Sequence, residues 1–204
     1  MAVNSLAIAR RELGQTAEAL AAHDDAVARM KVLHGPQSTR DELYWFCEVR
    51  RERAKTATAI PEQRAAAAAA DLVEVGHLAE KLVEEYPHVA FYREKLAAIY
   101  MQHGEVLTLL GQREPAIAEL TKSLAVSREL IDRFGVLSAS MVVRGQTFLA
   151  LGRARAAAGK NDEAVANWKN AVKVFEIALT IDPDNFLHRR GYSEAERALK
   201  PATK

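Results

Sequence analysis

The side chains best suited to chemistry in this sequence are its histidines, its cysteine and a dense basic run. Six histidines are spread along the chain, and His23 is followed directly by Asp24 and Asp25. Consecutive helical residues point about 100° apart, so these three side chains cannot converge on one ion. The zinc motif HExxH is also absent. We therefore predict no metal site and expect His23 to have a packing or solvated role.

Cys47 is the single cysteine, so the chain has no intrachain disulfide framework and no multi-cysteine metal site. A nearby histidine could make it a nucleophile, but its neighbours Trp45, Phe46 and Val49 favour a small buried hydrophobe on a helix. The motifs GxGxxG, GxxxxGK[ST], GxSxG, HRD and DFG are absent. We predict no catalytic site and no cofactor.

A dense basic run contains Arg50, Arg51, Arg53 and Lys55, with Arg40 upstream. This run could dock an acidic peptide, but charge runs on helices are usually solvated faces, which is the interpretation we favour.

The charge balance and hydropathy narrow the class of partner. The formal net charge is +1, whereas a nucleic-acid binder usually carries a strong basic excess, so that class is disfavoured. No stretch approaches 18 consecutive apolar residues, and the N-terminus lacks the order of a signal peptide. We expect no nucleic acid, no membrane and a cytoplasmic location.

The composition favours an all-α fold. Alanine runs unbroken from Ala65 to Ala70, and the chain has only 10 Gly and 6 Pro. Alanine loses no side-chain entropy in a helix and lets helices approach closely. Period-2 stretches typical of strands are absent.

The sequence repeats one pattern, a Gly in a short polar turn with an Ala five residues later. Gly111 and Gly159 are 48 residues apart, and Gly14 lies 97 before Gly111, about two periods. A further unit should therefore turn near residue 62 or 63, at Ile60-Pro61-Glu62-Gln63. A second set of markers, each ending an apolar-periodic helix, has the same spacing: Pro87, Gly135 and Pro183.

Within these units the residue types predict where helices begin, pack and end. Ser38 and Thr39, followed by Asp41 and Glu42, indicate a capping box, and Asp182-Pro183 indicates a helix end. In the second helix of the third unit and of the fourth unit, apolar residues recur at steps of three and four. This pattern predicts which face of each helix lies in the core. These residues are Ile117, Leu120, Leu124 and Ile131, and then Val165, Trp168, Val172, Phe175 and Leu179.

The repeated positions resemble the tetratricopeptide repeat (TPR) family. The family's small residues match Ala7, Gly104 and Gly152 before the hairpin, and Ala26, Ser123 and Ala171 after it. The resemblance implies one domain over residues 1–204, an α-α superhelix of about four hairpins with a C-terminal capping helix. The expected units are 1–37, 38–87, 88–135 and 136–183, with the capping helix at 184–200.

The period is longer than the family's usual 34 residues by two heptads, so the packing stripe is kept and helices of about 20 residues are expected. The first helix of the first unit has only about half its expected length, so we expect an apolar face at the N-terminal unit to be uncovered. This predicts self-association through that face. The segment LVEEYPHVAFYREKLA also looks like the TPR tails of large bacterial Ser/Thr kinases.

The TPR resemblance implies a concave groove lined by the first helix of each unit. Carried over by register, the groove residues are Asn4, Ile8 and Arg11, then Met101, Glu105 and Thr108, then Leu149, Arg153 and Ala156. The carboxylate clamp of chaperone-binding members is absent, since Asn4, Ile8, Ala98 and Gln102 occupy its places. The favoured function is a scaffold that binds a protein or peptide, and the alternative is a regulatory or substrate-recruiting segment of a bacterial signalling kinase.

Overall fold

A computed structural model describes residues 2–33, 38–57, 62–136 and 138–200 of the chain. Within these ranges the chain forms nine α-helices and no strand, which agrees with the predicted all-α fold. The helices are α1 (Ala2–Glu12), α2 (Thr16–Leu33), α3 (Arg40–Ala57), α4 (Glu62–Glu85), α5 (Ala90–Leu109), α6 (Arg113–Phe134), α7 (Ser138–Ala157), α8 (Asn161–Ile181) and α9 (Phe186–Leu199).

The chain divides into two compact units, residues 1–87 and 88–204. Unit 1 contains the hairpins α1/α2 and α3/α4, and unit 2 contains α5/α6, α7/α8 and the single helix α9. We call the first helix of each hairpin the A helix and the second the B helix, and α9 occupies the next A position. The single domain over 1–204 stays a prediction.

The lengthened helices are confirmed. The helices α5, α6, α7 and α8 have 20, 22, 20 and 21 residues. Adding whole heptads to a helix moves its apolar stripe by only about 20° per heptad, so each long helix keeps one face toward its partner.

The repeated glycines end the A helices. Gly14, Gly111 and Gly159 have φ of 76°, 71° and 78°, the left-handed region that other residues rarely adopt. At Gly111 the following Gln112 amide donates to the Leu107 carbonyl at 2.9 Å, the bond that closes a helix C-terminus. The spacing of 48 residues is therefore the distance along the chain between the turns of successive hairpins.

The predicted helix ends are found. The Thr39 amide donates to the Glu42 carboxylate at 2.8 Å, and the Glu42 amide donates to Thr39 Oγ1 at 3.3 Å, a complete capping box for α3. Helix α8 ends at Ile181, directly before Asp182-Pro183. At the start of α9, the Asn185 side chain accepts hydrogen bonds from the backbone amides of Leu187 and His188. The predicted turn at Ile60 and Pro61 lies outside the described residues, and α4 begins at Glu62.

Small residues on the A helices let large B-helix side chains touch the backbone. A Cβ on Gly104 would lie 2.4 Å from Leu120, and one on Gly152 would lie 2.1 Å from Trp168. Contacts this short would force the leucine or tryptophan side chain to shift, so glycine lets the two helices pack as they do. Two of the small residues that carried the TPR resemblance thus lie where a large side chain of the B helix meets the backbone of the A helix.

The ring of Phe175 is the central side chain of the last three helices. It is fully buried in α8, and a Cβ added to Gly145 on α7 or Gly191 on α9 would lie 2.5 or 2.2 Å from its ring. The core prediction for Phe175 is confirmed, and Trp168 is partly buried against the same cluster.

The buried stripe of α8 is centred on smaller residues than the apolar spacing predicts. In α8 the buried positions are Ala164, Asn167, Ala171, Val174, Phe175 and Ala178, while Val165, Trp168, Val172 and Leu179 flank them. The alanines allow close helix approach, Phe175 fits because Gly145 and Gly191 face its ring, and the other large apolar side chains pack at the sides.

Unit 1 has a polar residue at the position of these contacts. His23 lies sixteen residues after Ala7, the same separation as Leu120 from Gly104 and Trp168 from Gly152, and both Ala7 and His23 are 0% exposed. A histidine therefore occupies a core position that is apolar in the two hairpins of unit 2.

Candidate functional site

The A helices of each unit lie side by side and form the face on which the predicted groove residues were placed. In unit 2, α7 contacts both α5 and α9, and in unit 1, α1 contacts α3. Each A helix of a hairpin also packs against its own B helix. We call the face of α5, α7 and α9 that carries Glu105, Arg153 and Glu194 the inner face of unit 2.

An ion-pair ladder crosses the inner face. Arg153 on α7 donates to Glu105 on α5 at 2.7 Å and to Glu194 on α9 at 3.2 Å. Two predicted groove residues, Glu105 and Arg153, are thus brought together one repeat period apart. All three side chains are about half exposed, so each pair contributes little to stability and can be exchanged for a partner's charges.

The other groove residues predicted in unit 2 lie deeper. Met101 and Leu149 are buried in two core clusters and support the face from below. Thr108 is half-buried and donates to the Gly104 carbonyl at 2.8 Å, and Ala156 is half-buried. Partner binding by these residues stays a prediction.

In unit 1 the predicted residue Arg11 joins α1 to α3. It donates to Glu52 at 2.7 Å and to Thr56 Oγ1 at 3.4 Å. Asn4 is buried, with no hydrogen-bond partner for its Oδ1 among the described residues, and Ile8 is half-buried. The structure therefore connects Arg11 to the next A helix and places Asn4 beneath the surface.

Glu52 belongs to a charged cluster in unit 1. Arg51 donates to Glu52 at 2.6 Å and to Glu48 at 3.0 Å. Burial by itself would raise the pKa of Glu52, but the charges of Arg51 and Arg11 outweigh it, and the pKa lies below its usual range. The carboxylate stays ionised and holds α1 against α3.

The basic run is not the solvated face that we favoured, and that prediction was wrong for three of its members. Arg50, Arg51 and Arg53 are mostly buried, and Arg50 lies over the Phe46 ring at 4.9 Å.

Acidic residues on other helices neutralise Arg50 and Arg53. Arg50 pairs with Asp71 and Glu74 on α4, and Arg53 pairs with Asp71 and with Asp24 on α2, the last at 2.5 Å. These acids are distant in sequence, so local charge counting could not find them. An acidic peptide would have to displace bonds that hold unit 1 together.

Cys47 is a buried core residue, as predicted, and burial raises the pKa of its thiol to about 12. Such a thiol is not a nucleophile near neutral pH. In the described ranges, no group of three or more His, Cys, Asp or Glu could hold a metal ion. No helix in the described part of the chain is long and apolar enough to span a bilayer.

His23 is the most unusual titratable group. Neither ring nitrogen has a hydrogen-bond partner among the described residues, and the ring is fully buried. Burial lowers its pKa to about 4, and the charges of Glu52, Arg11, Asp24 and Arg53 act on it in opposing directions. Of the two predicted roles, packing is the one found.

The fold defined by these hairpins is TPR-like. The chain matches no protein-family model, and no curated protein matches it.

Solved structures do resemble the chain. Two crystal structures of a kinesin light chain-like protein from Podosopora anserina, with nearly identical TPR-like repeats, match it at TM-scores of 0.59 and 0.58. Each is 19% identical in sequence to the chain, and the match covers 99% of this chain and 85% of the Podosopora anserina chain. The resemblance to TPR proteins is therefore confirmed at the level of the fold.

Proposed function

We propose that the inner face of unit 2 binds a protein partner, as an extended peptide or a helix. The observation that carries the proposal is the ladder of Glu105, Arg153 and Glu194 across three adjacent A helices. A TPR-like fold presents such a face as a continuous surface, because successive hairpins stack.

The ladder also suggests the chemistry of the contact. A partner carboxylate can replace either glutamate at Arg153, and a partner Lys or Arg can take the glutamate that is released. Exposed pairs exchange at little cost, so the face selects mixed-charge segments rather than strongly acidic or basic ones. The chain's net charge of +1 also argues against nucleic acid.

The proposal is tested by selecting peptides from a display library with the full chain. Binding of the selected peptides is then measured by fluorescence anisotropy for the wild type and for Arg153→Glu. A groove of this kind binds with a Kd near micromolar, about −8 kcal/mol. We expect Arg153→Glu to weaken binding at least about tenfold, because it places three acidic side chains together.

The matched control is Arg128→Glu, which reverses an exposed arginine on the B helix α6 that pairs with Asp132 at 3.7 Å. This variant should bind the peptides with unchanged affinity. Selected peptides that bind Arg153→Glu as well as the wild type would contradict the proposal, and so would a selection that yields no specific binder.

A further inference from the structure

Exposed apolar side chains in unit 2 gather at one end of its hairpins. The end in question is where A helices begin and B helices finish. We call the six residues there, each 42–70% exposed, the apolar edge: Phe91, Val136, Ile177, Ile181, Phe186 and Leu187.

Chain topology places these residues at the same end. Phe91 is in the first turn of α5, and Phe186 and Leu187 begin α9. Ile177 and Ile181 lie in the last turns of α8, and Val136 lies between the end of α6 and the start of α7. Because A and B helices are antiparallel within each hairpin, these positions form one margin of the unit.

The opposite end of unit 2 is polar. It carries the glycine turns and an ion pair between Lys160 and Glu114 at 2.9 Å. Among the described residues of unit 2, Leu109 is the single large apolar side chain that is exposed there. Solubility alone would treat both ends alike, so the difference indicates a contact surface.

The size of the edge fits one side of a protein dimer. With about 150 Å² or more of surface for each fully exposed side chain of this class, the six exposed fractions amount to roughly 500 Å². A standard interface buries about 800 Å² on each partner, and about 65% of a homodimer interface is apolar. The apolar part of such an interface is therefore roughly 500 Å² on each partner, which is about the exposed area of the six side chains.

The charges beside the edge are balanced in sign. Arg189 pairs with Asp184 at 2.5 Å at the start of α9, and Arg133 pairs with Glu129 at 3.1 Å near the end of α6. A partner of strong charge gains nothing from this mixture. A second copy brings the same mixture of signs, so away from the two-fold axis an arginine of one copy can lie opposite an acidic group of the other.

We propose that the apolar edge of unit 2 pairs with the apolar edge of a second copy of the chain about a two-fold axis. This contact is separate from the inner face, so it goes beyond the proposed function. It also differs from self-association through the N-terminal unit, which the sequence predicts.

The test is sedimentation equilibrium of the full chain over a wide concentration range. We compare the wild type with the double variant Ile177→Lys and Ile181→Lys, whose cations suit the end of α8. The control is Leu109→Lys, at the exposed end of α5. We expect a wild-type dimer, an unchanged control, and a dissociation constant raised at least about 100-fold in the double variant, since like charges face each other across the axis.

Cross-linking gives a second readout. Cys47 is buried, so Leu187→Cys or Leu109→Cys introduces a single accessible thiol. A short bismaleimide should yield covalent dimers with Leu187→Cys and none with Leu109→Cys. A wild type that stays monomeric, a double variant that dimerises normally, or equal cross-linking at both sites would overturn the proposal. Peptide binding at the inner face is measured separately and does not depend on these results.

Discussion

Acidification should destabilise unit 1 through His23. This imidazole is fully buried without a hydrogen-bond partner among the described residues, and burial lowers its pKa from the ordinary 6.5 to about 4. Between pH 6.5 and about pH 4, the imidazole is therefore mostly protonated in the unfolded chain and mostly neutral in the folded chain. Stability is highest above pH 6.5 and falls as the pH drops toward 4.

The size of this effect follows from the difference in pKa. Linkage gives a loss of about 2 kcal/mol between about pH 7 and about pH 5, rising to about 3 kcal/mol below the folded pKa. The interval down to about pH 5 lies above the usual titration range of carboxylates, so it separates histidine titration from carboxylate titration, and a variant of His23 assigns the effect to this residue. Urea unfolding followed by circular dichroism measures this loss, and hydrogen exchange across α2 locates it.

The decisive variant is His23→Leu, which places in unit 1 the residue found at the equivalent position, Leu120. We expect equal or greater stability at neutral pH, because an unpaired polar group leaves the core, and a much weaker pH dependence. His77→Gln is the control, since His77 is exposed and pairs with Glu80. A pH dependence of unfolding that persists in His23→Leu would refute the reasoning.

Two further predictions concern packing and buried charge. Gly145→Ala should destabilise by about 1–3 kcal/mol because its Cβ meets the Phe175 ring, whereas Gly76→Ala, with nothing within 4 Å, should stabilise α4 by about 0.5–1 kcal/mol in urea unfolding. Equal effects at both glycines would contradict this packing. Arg50→Met should change stability by less than about 1 kcal/mol, because Arg53 still pairs with Asp71. Asp71→Ala should cost about 2 kcal/mol, because the two arginines then keep only the more exposed carboxylates of Glu74 and Asp24. The reverse order in the same unfolding measurement would show that Asp71 is not the centre of the network.

The spacing of a few residues predicted most of the fold. A glycine that ends a helix in the left-handed conformation is constrained locally, so Gly14, Gly111 and Gly159 reveal the repeat in one sequence. The capping box at Thr39 and the stop at Asp182-Pro183 are local for the same reason. The division into two compact units was not predicted, because long-range contacts leave no local pattern.

The candidate site was predicted in part. Register placed Glu105 and Arg153 on successive A helices, and the structure pairs them across one period. Glu194 was missed, although it lies on the predicted capping helix, because its position is related to Arg153 by packing rather than by the repeat. The kinase-segment alternative and the cytoplasmic location stay predictions.

The sequence by itself determined the helices, their turns and the repeat, because backbone conformation depends on near neighbours. Tertiary structure decided which charges are buried and which are exposed. The basic run at Arg50 is neutralised by Asp71 from another helix, and His23 takes a core position whose cost depends on everything packed around it. Such electrostatic environments are set by residues far apart in the chain, so they exist only once the helices have packed.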